Sequence, residues 1–289
     1  MRLAAIEAGG TKFVCASLDG ALNILRRSVI PTGAPGETLS AVKDFFAEGD
    51  APHDALGIAT FGPAGTVPGE PGHGRILRTP KPGWSGTDML GALSGIAPAA
   101  GFDTDVNGAA LAEAALGGQG EPLAYVTVGT GVGVGVAAQG RVLSGTGHYE
   151  GGHLAVSRGA EDRWPGHCVF HGDCAEGLAS GPAIAARWGS SLSELPDDHE
   201  AHGLVAAYLG QFAATLCLLH RPRRIVMGGG VMNTPGLRER VGLAMEERLA
   251  GYLDPPSDAA RIADIVVAPA LGGDAGLLGA ALLAKGALT

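Results

Sequence analysis

The feature that most restricts the fold of this chain is a hairpin pattern with a central glycine turn, which occurs twice. The first copy, LAAIEAGGTKFVCASLDG (Leu3 to Gly20), places two apolar runs around a Gly-Gly-Thr turn. The second copy, VTVGTGVGVGVAAQG (Val126 to Gly140), repeats this layout 120 residues further on, so that Gly129 corresponds to Gly9. Two such units predict two similar α/β domains that each offer a glycine turn to a shared cleft. The alternative is that the hairpins are unrelated, because hairpins with glycine turns are common.

Helical and strand-like segments alternate over the rest of the chain. Strong helix formers and helically spaced apolar residues predict helices at 37–48, 107–116, 202–219, 237–249 and 274–284. Short apolar runs predict strands at 55–60, 224–227 and 262–268. This alternation predicts the α/β class, with sheets flanked by helices, rather than a sandwich or a helix bundle.

The composition limits the partners of the chain. Its 289 residues carry 29 acidic and 20 basic side chains, for a formal net charge of -9. Without a run of Lys and Arg the chain has no electrostatic basis for gripping a phosphate backbone, so we expect no nucleic-acid partner. No uninterrupted apolar stretch reaches the roughly 18 residues that cross a bilayer, and the first residues read as a strand rather than a signal peptide. We therefore expect a cytoplasmic protein with no membrane partner.

Three glycine turns each follow an apolar strand: Gly9-Gly10-Thr11, Gly129-Thr130-Gly131 and Gly228-Gly229-Gly230. Glycine lets backbone N–H groups approach an anion without a Cβ in the way, and a Thr hydroxyl or the Lys12 ammonium adds a donor. The turns therefore suggest nucleotide binding, although each could simply reverse the chain. The chain has neither a GxxxxGK[ST] motif nor a GxGxxG motif that opens a helix, so a P-loop or Rossmann site is not supported.

A second spacing indicates a metal site. His153 is followed by CVFHGDC, which contains Cys168, His171 and Cys174. Two Cys and two His in a glycine-containing loop can close a tetrahedral zinc site without an open position, which is typical of structural zinc. The alternative is a set of unrelated thiols and a solvent-facing histidine.

Asp105 lies in FDTDVNGAAL, between an apparent strand end and a helix start. A carboxylate there can act in catalysis or can simply cap the helix, and capping is the commoner role. Glu150 and Glu176 are polar residues close in sequence to the metal loop, where carboxylates are usually only solvated.

Several of these segments together resemble a known family. In order from Ile6 to about Gly279 they are AGGTK, ATFGP, TPKPGW, TDVNGAALAE, VGTGVGVG, GHYEGGH, CVFHGDCAEGLASGPAIAARWG and IVMGGGVM. The series is similar to the ROK family of sugar kinases, and to its bacterial fructokinase branch in particular. The CxxHxxC loop joined to EGLASGPAI is its most specific part.

The resemblance implies an actin-like ATPase (ribonuclease H-like) α/β fold, with two similar α/β domains around a central cleft. It implies a small N-terminal domain of residues 1–112 plus 273–289 and a large C-terminal domain of residues 113–272 that carries the zinc loop. Hinges are expected near 105–116 and 272–274.

The resemblance also implies site roles. Asp105 is the expected general base, which takes the proton from the sugar hydroxyl as it attacks the γ-phosphate of ATP. The residues expected around ATP are Glu7, Gly9, Gly10, Thr11, Lys12, Gly129, Thr130, Gly131, Gly228, Gly229 and Gly230. Those expected around the sugar are Gly62, Pro63, Thr104, Asp105, Glu150, His153 and Glu176. The expected zinc ligands are His153, Cys168, His171 and Cys174, with zinc in a structural role and Mg²⁺ accompanying ATP.

Three positions depart from the pattern of this family. Glu7 stands where many relatives carry Asp near the metal–nucleotide complex. Thr104 stands where glucose-type members commonly have Asn, which favours the fructokinase branch. Gly152 replaces a larger apolar residue, and we expect it to loosen the turn between Glu150 and His153 because glycine adds backbone freedom.

The expected function is an ATP-dependent hexose kinase that makes fructose 6-phosphate from fructose. A kinase for mannose, glucose or an N-acetylated hexosamine is the alternative within the family, and a non-catalytic sugar-responsive regulator is the alternative outside enzymes. A homodimer through the second domain is expected. The apolar helix predicted at 205–219 then belongs either to that interface or to an ordinary core.

Overall fold

The computed structural model of this protein describes residues 1–49 and 51–289, which form two compact units. The first unit contains Met1–Ala112, Arg141–His148 and Leu271–Thr289, and the second contains Glu113–Gly140 and Tyr149–Ala270. The division into domains of residues 1–112 plus 273–289 and 113–272 stays a prediction.

Ten strands and eight α-helices make up the regular structure of the described residues. The strands are β1 (Arg2–Ala8), β2 (Lys12–Asp19), β3 (Ile24–Pro31), β4 (Ala55–Thr60), β5 (Ala99–Thr104), β6 (Leu123–Val128), β7 (Val132–Ala138), β8 (Arg141–Val142), β9 (Arg224–Gly228) and β10 (Val266–Val267). The helices are α1 (Pro35–Ala47), α2 (Met89–Leu93), α3 (Asp105–Leu116), α4 (Ala175–Ala179), α5 (Gly181–Trp188), α6 (Glu200–His220), α7 (Leu237–Leu249) and α8 (Ala275–Gly286).

The two sheets have the same topology. The first has the strand order β3-β2-β1-β4-β5 and the second has the order β10-β9-β6-β7-β8, which is the same order read from the other edge. In each, the hairpin is antiparallel (β1 with β2, β6 with β7) and the next two strands are parallel to its first strand. The duplicated α/β architecture predicted from the repeated hairpin is therefore confirmed.

The central strands of the first sheet are buried on both faces, which explains why β1 and β2 are apolar almost without interruption. Side chains on one face, such as Ile6 and Phe13, pack with α1 and with the fully buried Trp84. Side chains on the other face, such as Ala5 and Val14, pack against α8. A strand with both faces covered reads as a continuous hydrophobic run.

Glycines allow α8 to lie unusually close to this sheet. A Cβ on Gly57 of β4 would overlap the carbonyl oxygen of Ala280, and one on Gly101 of β5 would overlap that of Leu283. Gly108 of α3 and Gly279 of α8 pack backbone to backbone in the same way. These positions need glycine because of close approach, not because of a special backbone angle.

Helix α6 is the longest helix of the second unit. By length and composition alone it could cross a membrane, with a mean hydropathy of 1.5, but 61% of its apolar window is buried inside the structure. It packs against α7, where Gly210 lies directly against Ala244. This burial favours the core interpretation of the helix predicted at 202–219, although Leu218 and Leu219 at its end are exposed.

One element predicted from the sequence is wrong in part. The strand predicted at 262–268 begins as a short 3₁₀ helix, Ile262–Ile265, and only Val266–Val267 pair with β9. The Asp264 carboxylate accepts a hydrogen bond from the backbone N–H of Arg261, at 2.9 Å, at the start of this 3₁₀ helix. Such local side-chain bonds compete with strand pairing, and an apolar run alone does not reveal them.

We predict that Gly57→Ala destabilises the protein by at least about 2 kcal/mol, because α8 must move away from β4 to admit a methyl group. Denaturant unfolding followed by circular dichroism measures this. Gly36→Ala, in the first turn of α1, is the matched control because a Cβ there meets open space. It should change stability by less than about 1 kcal/mol. Equal stability of the two variants would contradict the packing argument.

Candidate functional site

Three of the predicted site segments of the first unit follow neighbouring parallel strands. The Gly9–Thr11 turn follows β1, the Gly62–Pro63 segment follows β4, and Asp105 follows β5. The register pairs the last residues of these strands, Ala8 with Thr60 and Thr60 with Thr104. Carboxyl ends of parallel strands form the ligand-binding edge of α/β sheets.

The glycine turn after β1 has one glycine that the fold requires and one that it does not. The Gly9 N–H donates to the carbonyl oxygen of Lys12 at 2.9 Å, and a Cβ on Gly9 would lie 2.8 Å from that oxygen. A Cβ on Gly10, in contrast, would meet nothing within 4 Å. Gly10 therefore leaves open space at the exposed tip of the turn, which suits the approach of an anion to the backbone.

Asp105 is the first residue of α3 and is partly buried. Burial raises the pKa of its carboxyl to about 6, against smaller opposing effects of the Val106 N–H bond and the His148 imidazole. The capping interpretation applies to its neighbour instead, since the Thr104 hydroxyl accepts a hydrogen bond from the Asn107 N–H at 3.3 Å. Asp105 is thus left with a carboxylate that ionises near neutral pH, as a general base needs.

Thr104 is 2% exposed and its hydroxyl serves as the helix cap. The structure therefore gives this residue a role in the start of α3. Its predicted contact with the sugar stays a prediction.

Glu7 is a second partly buried carboxylate of this unit. Burial, followed by the charge of Asp105, raises its pKa to about 7, while Lys12 and Arg27 oppose the shift. Its side chain lies against Gly276 in the first turn of α8, where a Cβ would come within 2.5 Å of the carboxylate. Two neighbouring carboxylates with raised pKa values form an oxygen-rich place that a divalent cation would stabilise.

Sequence reasoning missed His148 as a candidate site residue. Its Nε2 accepts a hydrogen bond from the Ala64 N–H at 3.1 Å, and the ring lies beside Gly62. Burial raises the pKa of the nearby Asp103 and Asp105 carboxyls, and His148 lies close enough to oppose part of that rise. The signal in the sequence was its place in GHYEGGH, where only the later Glu150 and His153 were singled out.

In the second unit two glycine turns lie side by side at the carboxyl ends of β6 and β9. The Gly129 N–H donates to the Gly131 carbonyl, and the Gly129 carbonyl accepts from the Gly181 N–H at 2.7 Å, at the start of α5. Gly229 has a φ of +92°, and a Cβ there would overlap the Val128 carbonyl. The fold therefore demands glycine at 229, whereas Gly230 has open space around it.

Glu176 joins the second glycine turn to the metal loop. It lies in the first turn of α4, directly after Cys174, and its Oε2 accepts a hydrogen bond from the Val132 N–H at 3.0 Å. A Cβ on Gly131 would lie 2.5 Å from the same oxygen. One carboxylate oxygen is thus committed to holding the turn in place.

The four predicted zinc ligands are brought together by the fold. One ligand atom from each of His153, Cys168, His171 and Cys174 lies within 4.8 Å of the others. The sulfur of Cys168 is 3.7 Å from the Nδ1 atoms of His153 and His171, and the sulfur of Cys174 is 3.6 Å from Nδ1 of His153.

These distances fit a tetrahedral zinc site. With Zn–S bonds of about 2.3 Å and Zn–N bonds of about 2.0–2.1 Å, sulfur and nitrogen ligands are about 3.6 Å apart. The donor set, two thiolates and two imidazoles with no open position, is also the one that structural zinc prefers.

Gly152 has a different role from the one expected. It is buried in the 3₁₀ helix Gly151–His153, and a Cβ there would overlap the carbonyl oxygen of Val132 in β7. We expected this glycine to loosen the Glu150–His153 turn. Instead, the missing side chain lets the turn pack tightly against β7.

Two duplicated α/β units, each with glycine turns at the carboxyl ends of its strands, define the actin-like ATPase fold class. The chain belongs to the ROK family, whose model matches residues 3–287. It is 40% identical to a fructokinase of Pediococcus pentosaceus over 293 aligned residues, covering 100% of this chain and 99% of the relative. It is also 40% identical to a fructokinase of Zymomonas mobilis, covering 98% and 96%. Among solved structures, the ROK hexokinase from Thermus thermophilus matches with a TM-score of 0.79 and 29% identity, covering 99% and 98%.

We predict that Glu7→Gln makes the protein more stable relative to the wild type at pH 8 than it does at pH 5. The pKa of Glu7 is 4.5 in the unfolded chain and about 7 when folded, so the unfolded chain loses its proton first as the pH rises. Through Glu7 the wild type therefore loses about 2 to 3 kcal/mol of stability over this range, and the glutamine variant lacks this contribution. Denaturant unfolding at both pH values, without nucleotide or magnesium, measures the difference.

The exposed Glu37→Gln in α1 controls for the chemistry of the substitution. If Glu7→Gln changed the stability equally at pH 5 and pH 8, the raised pKa would be refuted.

Proposed function

We propose that this chain is an ATP-dependent fructokinase, which converts ATP and D-fructose to ADP and D-fructose 6-phosphate. The observation that carries the proposal is Asp105, a partly buried carboxylate with a pKa of about 6 at the carboxyl end of β5, in a chain of the ROK family. Full-length similarity to proteins named fructokinase supports fructose as the substrate.

Asp105 is the proposed general base. Its carboxylate accepts the proton of the sugar hydroxyl while the hydroxyl oxygen forms a bond to the γ-phosphorus. The bond from that phosphorus to the bridging oxygen breaks, and ADP leaves with the electron pair. Because the pKa of about 6 lies below the cytoplasmic pH and close to it, Asp105 is ionised before the reaction and still accepts a proton during it.

The glycine turns are the proposed phosphate and nucleotide contacts. Gly10 and Thr11 in the first unit and Thr130 in the second are exposed at the tips of their turns, where backbone N–H groups can reach phosphate oxygens. Lys12 adds a positive charge beside the first turn. Mg²⁺ bound together with ATP would neutralise negative charge on the phosphates. Glu7 is the carboxylate that we expect to face this ion.

The sugar contacts are proposed in both units. Gly62, Pro63 and Thr104 belong to the first unit, and Glu150, His153 and Glu176 belong to the second. His153 offers Nδ1 to the sulfurs of the metal cluster, which leaves Nε2 on the other side of the ring for a sugar hydroxyl. Zinc would then shape the sugar pocket and take no part in phosphoryl transfer.

Two further expectations stay predictions, a homodimer and a cytoplasmic location.

Mannose, glucose or an N-acetylated hexosamine remains the alternative substrate, since one gained or lost hydroxyl contact changes selectivity without moving the motifs. A panel of these sugars with ATP in a coupled ADP-release assay tests the choice. We expect the highest kcat/KM for fructose, and a rate with fructose no better than with glucose and mannose would refute it.

We predict that Asp105→Asn lowers kcat with fructose by about 10²- to 10⁴-fold, because the amide cannot accept the proton. In the wild type, kcat/KM should rise with pH through an apparent pKa of about 6 and then level off, because only the ionised carboxylate is active. Steady-state kinetics between pH 5 and pH 8 measures both. Asp44→Asn, an exposed position of α1, should leave the rate and the profile unchanged.

A second prediction concerns the metal loop. Cys168→Ala should abolish the binding of one zinc ion per chain, measured by metal analysis of the purified protein, and should raise KM for fructose more than it lowers kcat. Cys217→Ala is the matched control, since this buried cysteine of α6 lies outside the cluster, and it should retain zinc. If the zinc-free Cys168→Ala protein had an unchanged KM for fructose, the proposal that zinc shapes the sugar pocket would be wrong.

A further inference from the structure

Lys81 is a charged residue that the proposed mechanism does not use, although it contacts the first glycine turn. Its ammonium donates a hydrogen bond to the carbonyl oxygen of Gly10, at the exposed tip of that turn. Among the described residues, this carbonyl is the only hydrogen-bond acceptor of the ammonium. Because a lysine ammonium has three N–H donors, two of them stay available to a ligand at the turn.

The loop that carries Lys81 runs from the proposed sugar segment to the proposed phosphate turn. At its start, the Leu77 N–H donates to the carbonyl oxygen of Pro63 at 2.7 Å. Further along, the fully buried Trp84 packs its ring 5.4 Å from that of Phe61, next to Gly62, and 5.5 Å from that of Phe13, next to Lys12. Lys81 therefore lies in the first unit, on a loop that contacts both the proposed phosphate turn and the proposed sugar segment.

The loop is ordered by contacts that do not involve the Lys81 side chain. The Thr79 N–H donates to the Ser85 hydroxyl, which in turn donates to the Thr79 carbonyl, both at 3.1 Å. The indole N–H of Trp84 donates to the Gly33 carbonyl at 3.1 Å. A neutral side chain at position 81 would thus remove a charge and leave the loop anchored.

We propose that Lys81 is a catalytic residue whose ammonium binds the γ-phosphoryl group of ATP during its transfer. Phosphoryl transfer depends on neutralising the charge spread over the transferred oxygens. The carboxylates of Glu7 and Asp105 add negative charge to the same edge of the sheet, so a cation fixed there opposes their repulsion of the phosphate. Lys81 keeps its protons throughout and acts as a fixed charge, while the proton of the sugar hydroxyl goes to Asp105. This inference rests on the proposed kinase function.

The test compares Lys81→Met with the wild type in catalysis and in nucleotide binding. Hydrogen bonds to charged groups have a strength that corresponds to a loss of about 10- to 100-fold when one partner is removed. We expect kcat with ATP and fructose to fall by this factor. Calorimetry should show the non-hydrolysable analogue AMP-PNP bound at least about tenfold more weakly, while the Kd of ADP, which lacks the γ-phosphate, changes by less than about twofold.

Two variants serve as controls. Lys81→Arg keeps the charge and should recover most of the lost kcat. Lys285→Met, at an exposed position of α8, makes the same substitution away from the turn and should change neither kcat nor the affinity for AMP-PNP. Thermal unfolding of Lys81→Met should match that of the wild type, because the loop keeps its own anchors.

Two results would overturn the proposal. Unchanged kcat and AMP-PNP affinity in Lys81→Met would show that the contact with Gly10 is only structural. An equal loss of affinity for ADP and AMP-PNP would show that Lys81 acts on the whole nucleotide or on the shape of the turn. If the wild type binds AMP-PNP more tightly than Lys81→Met does but phosphorylates no hexose, the fructokinase proposal fails while the γ-phosphate contact stands.

Discussion

Parallel pairing of β1, β4 and β5 is the constraint on which the candidate site of the first unit depends. Its register sets Ala8 beside Thr60 and Thr60 beside Thr104, so that three chain segments far apart in sequence end at one edge of one sheet. The phosphate turn, the Gly62–Pro63 segment and Asp105 all start from that edge. A shift of register would move each of them, because the pairing and not the local sequence fixes their separation.

Close packing and electrostatics are coupled at this edge. Glycines at 57, 101 and 279 let the backbone of α8 press against the sheet and α3, and the same helix brings Gly276 against the carboxylate of Glu7. Burial then raises the pKa of Glu7 and Asp105 to about 7 and 6. The small residues that allow the helix to approach are therefore one physical reason for the raised pKa of Glu7.

The two units use one topology for different chemistry. Both have an antiparallel hairpin followed by parallel strands, and both carry a glycine turn after the first strand of the hairpin. The first unit adds the carboxylates of Glu7 and Asp105 near the carboxyl ends of its parallel strands, and Lys12 and Lys81 beside the first glycine turn. The second inserts the segment from Tyr149 to the start of α5, which holds the Cys and His cluster and ties it to the glycine turn through the bond from Val132 to Glu176. Duplication explains the shared strand order, and the loops explain the division of roles.

The sequence by itself determined the class of fold, the duplication, the family and the identity of most candidate residues, because apolar periodicity, glycine turns and the Cys and His spacing are local patterns. It also placed β4 and α7 at their observed bounds. It did not distinguish the 3₁₀ helix at 262–265 from a strand, and it left open whether Asp105 caps α3. Only the tertiary structure decided these points, together with the positions of His148 and Lys81, the close approach at Gly152 and the raised pKa values. The 3₁₀ helix and the helix cap depend on short-range side-chain bonds that an apolar pattern does not show. The positions of His148 and Lys81, the close approach at Gly152 and the raised pKa values depend on atoms from distant segments, whose separation no local pattern encodes.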